Sequence, residues 1–388
     1  MTSPENSSVN VLHPLQIPEL VNTICSLLDI KSCVKLLFLS RRVYAIVLPI
    51  VWKDAEMESL FRLIPGTKVE DHDTSHPTGC NYAIHFPATR DLTRFTIHAP
   101  FVKTLRASRP YAVNFPSRWP SSGPDAASNP LLPNLQRLVI TTFDTIIAAW
   151  SVDWIPRLLY PGLLGLEMFT VQPSGDESES YAWLDKNTYF NLASQVSRAC
   201  PRIETLRLFP EDIVLLPKKD AIKIYNQIAD FRYLRSLAFS GTVVHEKLLE
   251  VLGRLPHLET LSLCSDFADN KEFDEIPLSV PNDSFPSLRH LYLYALYETT
   301  MSSVCKIPPL FSRPVKTIIL FEDQYSDDDM GDDERSDVAV TCLGRNSPQL
   351  QELTILPRGN NGLFIITRPI LDTLKCMPLR YLRLGERG

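Results

Sequence analysis

Two stretches of this 388-residue chain gather side chains that could bind a metal ion. One combines carboxylates and imidazoles, which are common metal ligands: Asp71, His72, Asp73 and His76. A polar loop without bound metal is the alternative interpretation. The other, the acidic run 327–334, lacks the Gly and Glu positions of a calcium-binding loop. Its like charges repel one another, so we interpret it as a solvated insertion near 322–337 and expect no metal and no cofactor.

The chain lacks the short motifs by which enzymes bind phosphate or activate a nucleophile. No Gly-x-x-x-x-Gly-Lys-Ser/Thr, Gly-x-Gly-x-x-Gly, Gly-x-Ser-x-Gly or His-Glu-x-x-His motif occurs in it. Glycine is scarce at 14 residues, and nucleotide-binding folds need glycine where the backbone approaches phosphate. We therefore predict that the protein is not an enzyme; an enzyme on an unfamiliar fold remains an alternative.

The composition is that of a globular protein, with 44% hydrophobic and 22% charged residues. The net charge of −6 argues against nucleic-acid binding, which requires a basic surface. The longest apolar run, Ala45 to Trp52, is far shorter than the roughly 18 residues of a membrane span. No secretory signal and no Cys-x-x-Cys pair occurs among the eight cysteines. We expect a cytoplasmic or nuclear protein with reduced thiols that binds neither nucleic acid nor membrane.

Three short helices are predicted between Leu15 and Trp52. Pro18 suits a first helical turn, where its missing N–H is not needed. The first helix has one apolar face at helical spacing: Leu20, Ile24, Leu27 and Leu28. Ser32 is predicted to cap the second helix. The third has its own apolar face: Val43, Ile46, Val47 and Ile50. Helices this short are marginal in isolation, so they must pack on each other, on the rest of the chain or on a partner.

This stretch resembles an F-box, the helical module that docks onto Skp1 in SCF (Skp1–cullin–F-box) ubiquitin ligases. The resemblance covers about residues 13–54 and rests on Pro18-Glu19-Leu20, Ile24, Leu27-Leu28-Asp29, Ser40-Arg41-Arg42 and Leu48-Pro49-Ile50-Val51-Trp52. Val43 departs from the family pattern, which usually has Trp after the basic pair. The resemblance implies a Skp1-like adaptor, and through it a cullin, as partners. The residues expected to contact that adaptor are Leu15, Pro18, Glu19, Leu20, Ile24, Leu27, Leu28, Leu48, Pro49 and Trp52. A plain helical cap over the following repeats is the alternative.

An internal repeat with the pattern Pro-x-Leu-x-x-Leu-x-Leu begins at Pro133. The position of its second leucine recurs at intervals of 24 to 40 residues: Leu138, Leu166, Leu206, Leu237, Leu261, Leu291, Ile318, Leu353 and Leu382. This pattern resembles leucine-rich repeats, in which each copy contributes one strand to a stacked parallel sheet. Helical spacing between copies predicts helices over 187–199, 219–229, 245–255 and 338–345.

The strand residues that alternate with the leucines are predicted to face the concave side of the sheet. A solvated surface is the simplest role for most of them. Aromatic and basic side chains there are candidate anchors for a protein substrate: Arg137, Arg207, His290, Tyr292, Tyr381 and Arg383.

The sequence as a whole predicts an α/β fold. Residues 1–12 are expected to be disordered, 13–54 to form the F-box-like module, and 55–132 to form an irregular linker whose segment Leu92–Ile97 is a first strand. Residues 133–388 are expected to form an irregular leucine-rich-repeat solenoid with a parallel sheet on its concave face. The resemblance implies a substrate-recognition adaptor of an SCF-type ubiquitin ligase, with an unidentified protein substrate. A repeat scaffold unconnected to any ligase is the alternative.

Overall fold

One large sheet of parallel strands runs through most of the molecule. The computed structural model describes residues 15, 17–71, 82–87, 91–109, 111–114, 130–142, 146–147, 152–170, 180–181, 183–210, 218–240, 246–264, 280–296, 307–322, 332–358 and 367–384. The strands of the sheet, in spatial order, are β1 (Asp54–Glu56), β4 (Thr104–Ala107), β6 (Arg137–Thr142), β8 (Gly165–Thr170), β11 (Thr205–Arg207), β13 (Ser236–Ser240), β14 (Thr260–Cys264), β15 (His290–Leu296), β16 (Lys316–Glu322), β17 (Glu352–Arg358) and β18 (Tyr381–Leu384). Each is parallel to its neighbours, so the predicted α/β fold with a parallel sheet is confirmed.

Seven further strands lie beside this sheet. The first small sheet contains β2 (Lys68–Asp71), β3 (Tyr82–His85) and β5 (Tyr111–Asn114). The second contains β7 (Ile146–Ile147), β10 (Trp183–Leu184) and β12 (Phe209–Pro210). Strand β9 (Ser180–Tyr181) pairs antiparallel with β8.

Helices connect the strands. In chain order they are α1 (Pro18–Leu27), α2 (Ile30–Leu36), α3 (Arg41–Val51), α4 (Met57–Phe61), α5 (Thr93–His98), α6 (Lys186–Ala199), α7 (Lys218–Ala229), α8 (Glu246–Gly253), α9 (Pro308–Ser312), α10 (Asp332–Asn346) and α11 (Arg368–Lys375). Helices α6, α7, α8 and α10 overlap the four helices that the repeat spacing predicts. Short 3-10 turns occur at Ala99–Phe101 and Ile155–Arg157. None of the helices in the described ranges is long and apolar enough to cross a membrane.

A column of aligned residues through the middle of the strands forms the centre of the main core. Its members are Ala55, Leu105, Leu138, Leu166, Leu206, Leu237, Leu261, Leu291, Thr317, Leu353 and Leu382. From Leu105 to Leu353 every one of them is at most 1% exposed. Since one strand can bury only one face, each repeat depends on its neighbours to cover these side chains.

Hydrogen bonds that precede the strands add a second regular feature. The carbonyl of the residue before one strand accepts from two successive N–H groups at the start of the next. The Arg235 carbonyl, for example, accepts from Glu259 and Thr260, both at 2.8 Å. This pattern repeats from the carbonyl of Lys53 to that of Gln351. It fixes the point at which every repeat enters the sheet.

The predicted strand at Leu92–Ile97 is wrong, because Thr93–His98 forms helix α5. Phe95 is buried and stacks on Phe61, with ring centroids 6.2 Å apart, whereas Ile97 is 50% exposed. Alternation over six residues also fits a helix with one buried side chain, so the pattern was too short to decide. The strands that the described residues before Pro133 contribute to the main sheet are instead β1 and β4, which the sequence pattern did not reveal.

The predicted register is also wrong in β16. Leu291 is aligned with Thr317, so Thr317 and Ile319 face the core. Ile318 lies on the opposite face, the one predicted to be concave, which we call the concave side. Residues 318 to 321 are all apolar, and without polar alternation a shift of one position is invisible in the sequence. Thr317 is 1% exposed, and its hydroxyl has no hydrogen-bond partner.

Three predictions fall at the limits of the described ranges. Residues 1–12 and 72–76 lie outside them, so the structure does not test the expected disorder or the histidine-containing loop. Of the acidic run 327–334, the last three residues lie at the start of α10, and the others are outside the described part.

Replacing Thr317 by Val should stabilise the protein, because Val keeps the shape of Thr and removes a buried, unpaired hydroxyl. We expect the free energy of unfolding, measured by urea denaturation, to rise by about 1 kcal/mol. Thr354→Val, on the concave side of β17, is the matched control and should change it by less than about 0.5 kcal/mol. A Thr317→Val variant no more stable than wild type would contradict the assigned register.

Candidate protein-interaction surfaces

Local capping interactions define helices α1 to α3. Pro18 occupies the first turn of α1, as predicted. The cap of α2 is Asp29, whose carboxylate accepts from the Ser32 N–H at 2.8 Å, so the prediction that Ser32 caps this helix is wrong. Hydrogen bonds from Ser32 lower the pKa of the Asp29 carboxyl, which keeps the cap ionised. Ser40 caps α3 by accepting from the N–H of Val43 at 3.1 Å.

The three helices share a small core of their own. Its buried members are Val21, Cys25, Cys33, Val43 and Val47. The Cys33 thiol donates to the Cys25 carbonyl at 3.6 Å, and burial raises the pKa of Cys25 to about 11. Both thiols are buried and serve as packing groups in this core, and the raised pKa keeps Cys25 in its thiol form at neutral pH.

A different side of the helices exposes an unusual amount of apolar surface. In the part of the chain that the structure describes, eight of the fourteen exposed large hydrophobic residues lie between Leu20 and Tyr44. They form what we call the helical apolar face: Leu20, Leu27, Leu28, Ile30, Val34, Phe38, Leu39 and Tyr44. Leu27 is 82% exposed and Phe38 is 84% exposed. Concentrated apolar exposure of this kind marks interaction sites.

The residues predicted to contact an adaptor divide into two groups. Those at the surface are Pro18, Glu19, Leu20, Leu27 and Leu28, and those half-buried are Leu15, Ile24, Pro49 and Trp52. Leu48 is only 5% exposed. Trp52 packs against the main core. Its ring contacts that of His98 edge-on, with the two ring centroids 4.8 Å apart. Leu48 and Trp52 therefore face the protein's own interior, in contrast to the leucines of α1.

The predicted adaptor contacts include only three of the eight residues of the helical apolar face: Leu20, Leu27 and Leu28. Ile30, Phe38 and Leu39 lie at or beyond the ends of α2, where helical periodicity gives no indication of direction. One signal was available in the sequence. Phe38 and Leu39 directly precede Ser40, the cap of α3, and therefore lie in the connection between two helices.

On the concave side of the sheet, Glu167 lies between two arginines of neighbouring strands. Its side chain is 7% exposed, and Arg137 donates to it through Nε at 3.1 Å. Arg207 approaches from the other side, with its Nε 3.6 Å from the second carboxylate oxygen. Gly165 makes room for this pairing, since a Cβ there would lie 3.3 Å from the Arg137 side chain. The structure therefore brings the predicted residues Arg137 and Arg207 together around a carboxylate.

The remaining predicted anchors lie farther along the sheet. His290 and Tyr292 are neighbours on β15 and are half-buried. The Nδ1 atom of His290 is 3.4 Å from the Thr260 hydroxyl. Burial and the nearby Lys316 lower the pKa of His290, so its ring is neutral at pH 7. Lys316 pairs in turn with Glu352 at 3.4 Å.

Tyr381 and Arg383 are exposed on β18, the last strand of the sheet. The six predicted anchors thus form three separate pairs rather than one site. Among the described residues, no group of three or more His, Cys, Asp or Glu side chains is arranged to hold a metal ion.

Replacing Glu167 by Ala should destabilise the protein by about 2–3 kcal/mol, because Arg137 and Arg207 both lose their carboxylate partner and Arg207 is largely buried. Arg137→Ala, which removes a side chain that is 52% exposed, should cost only about 1 kcal/mol. Thermal denaturation of the two variants under identical conditions measures the difference. Equal losses would show that the carboxylate is not the central member of this cluster.

Comparison with known proteins gives only remote similarities. No protein-family model and no curated protein sequence matches the chain. Among solved structures, it is similar to a protein of Bacteroides fragilis, with 14% identity, a TM-score of 0.37, and coverage of 66% of this chain and 68% of that one. A chain of the yeast Rad7–Elc1 complex has 12% identity, a TM-score of 0.30, and coverage of 74% and 76%. A chain of the TLR13–ssRNA13 complex has 11% identity, a TM-score of 0.20, and coverage of 74% and 53%. Any role for the interaction surfaces described above therefore has to be inferred from their own geometry.

Proposed function

We propose that the protein is a substrate-recognition adaptor of an SCF-type ubiquitin ligase. In this role, α1 to α3 dock a Skp1-like adaptor that connects to a cullin, and the concave side of the sheet binds the protein substrate. The observation that carries the proposal is the helical apolar face, which lies within the stretch 13–54 that resembles an F-box. A cap that served only the protein's own fold would turn those leucines inward.

The exposed side chains supply enough apolar surface for a specific contact. Burying one Leu or Phe side chain contributes roughly 1.5–3 kcal/mol. Leu27 and Phe38 are more than four-fifths exposed, so nearly all of that gain is available to a partner. Side chains that lie at the centre of a contact usually account for most of its affinity.

The sheet suits the second half of this function. Its strands are fixed by neighbours on both sides, so a substrate held on the concave side keeps a constant position relative to α1. Holding the substrate near the ubiquitin-transfer machinery raises its effective concentration there. The chain would then perform no bond chemistry itself and would need no cofactor.

A repeat scaffold outside any ligase is the second candidate. The inward positions of Leu48 and Trp52 favour it, because they show that part of the helical module closes the end of the sheet. In that case the helices would serve mainly as a cap, and the helical apolar face would bind a different protein.

Replacing Leu27 and Phe38 together by Asp should reduce binding to a purified Skp1-like adaptor by at least about tenfold, because charge replaces buried apolar area. Isothermal titration calorimetry measures the dissociation constant, and circular dichroism checks the fold. Tyr233→Asp is the matched control, since Tyr233 is 53% exposed at a distant position. Unchanged binding by the double variant, or no binding by the wild type, would favour the scaffold.

Point substitutions are preferable to removal of residues 1–54. That deletion would cut into β1 and remove the Lys53 carbonyl that accepts from Lys103 and Thr104, each at 2.9 Å. It would also remove Trp52 from the main core. A loss of binding could then reflect damage to the sheet.

Substrate binding should depend on β15 independently of the helices. We expect His290→Ala combined with Tyr292→Ala to lose co-purifying substrate proteins while keeping the adaptor, because these side chains lie on the concave side. The Leu27 and Phe38 double variant should show the opposite pattern. Quantitative mass spectrometry of affinity-purified material distinguishes the two. Loss of the adaptor from the β15 variant would contradict the separation of the two surfaces.

A further inference from the structure

The two ends of the central core column differ in exposure. Ala55, its first member, is 4% exposed, and the nine members that follow are at most 1% exposed. Leu382, its last member, is 42% exposed although it occupies the same position in its strand. The core is therefore closed at the end near the helices and open at β18.

Helix α11, which precedes β18, also carries an exposed leucine. Ile370 and Leu374 of this helix are buried, but Leu371 is 43% exposed. Strand β18 pairs with β17 on one side, and no other strand in the described ranges pairs with its second side. Exposed edge strands with apolar side chains readily pair with another strand.

We propose that a second copy of this chain covers the open end through antiparallel pairing of the two β18 strands about a two-fold axis at Leu382. A head-to-tail arrangement would require an open column at β1, and Ala55 is buried there. A two-fold arrangement instead uses the same edge of both copies and closes after two. This inference does not depend on the proposed ligase role.

The side chains of β18 complement themselves in this register alone. Directly opposed residues of an antiparallel pair share a face. With Leu382 opposite the partner's Leu382, Tyr381 lies opposite the partner's Arg383, which allows a cation–π contact twice. A two-fold axis at Arg383 would oppose two like charges, and one at Tyr381 would place Leu382 against Arg380. An axis between residues would oppose core-facing and concave side chains.

The geometry leaves the other surfaces accessible. A two-fold axis perpendicular to the sheet keeps both copies of α11 on the same face of the combined sheet. The helical apolar face lies at the opposite end of each sheet. One assembly would therefore present two such faces.

The first test is the mass of the 388-residue protein in solution, measured by light scattering after size-exclusion chromatography up to micromolar concentrations. We expect twice the 44.0 kDa of one chain for the wild type and a single mass for Leu382→Lys. Tyr233→Lys is the control at an exposed residue elsewhere and should keep the double mass. A monomeric wild type, or a Leu382→Lys variant that stays dimeric, would overturn the proposal.

The second test decides the register and does not require the disruptive variant to fold. In a Cys376→Ser background, Leu382→Cys should form a disulfide-linked dimer under mild oxidation, because opposed residues at a two-fold axis meet disulfide geometry. Arg383→Cys is the matched control, since its own counterpart would be two positions away. Equal cross-linking of both variants, or none of Leu382→Cys, would overturn the pairing.

Discussion

The structure depends on the mutual burial of neighbouring strands, because no repeat in this chain can cover its own leucine. Leu261, for example, is fully buried only because β13 and β15 flank it. The shared carbonyls before each strand reinforce this dependence, since each accepts two N–H groups from the following repeat. Positions inside the array are thereby fixed twice, by core packing and by backbone hydrogen bonds. The ends lack one neighbour, and they are where the two interaction surfaces occur.

The two ends solve this problem differently. At the first, Trp52 and the small residue Ala55 leave little apolar area exposed, while α1 to α3 build a separate core around Cys25 and Val47. That separate core allows the helices to turn leucines outward without destabilising the sheet. At the other end, Leu382 keeps the residue type of the repeat without the neighbour that the repeat supplies. Both surfaces thus occur where a repeat at the end of the array has a neighbour on one side only.

Periodicity in the sequence was sufficient to predict most of the array, because a leucine that recurs with proline before it reflects a local constraint. It failed where the constraint was weak. The apolar stretch around Ile318 carries no alternation, and Leu92–Ile97 is too short to separate a strand from a helix. The pairing of Glu167 with Arg137 joins residues on different strands, so no local pattern could reveal it. Periodicity placed Leu20, Ile24 and Leu27 on one face of α1, but it does not indicate whether such a face is buried or exposed.

The first shared carbonyl belongs to Lys53, which directly follows the tryptophan at the end of α3. The helical module is consequently joined to the sheet without a flexible linker. Its distance from any later strand, measured across the sheet, is a whole number of strand spacings. Parallel strands are about 4.8 Å apart, so the seven steps from β1 to β15 span at most roughly 34 Å. Gain or loss of one repeat would change that distance by one step and turn the bound molecule by one increment of sheet twist. The number of repeats therefore sets the distance between the helical module and a given strand of the sheet.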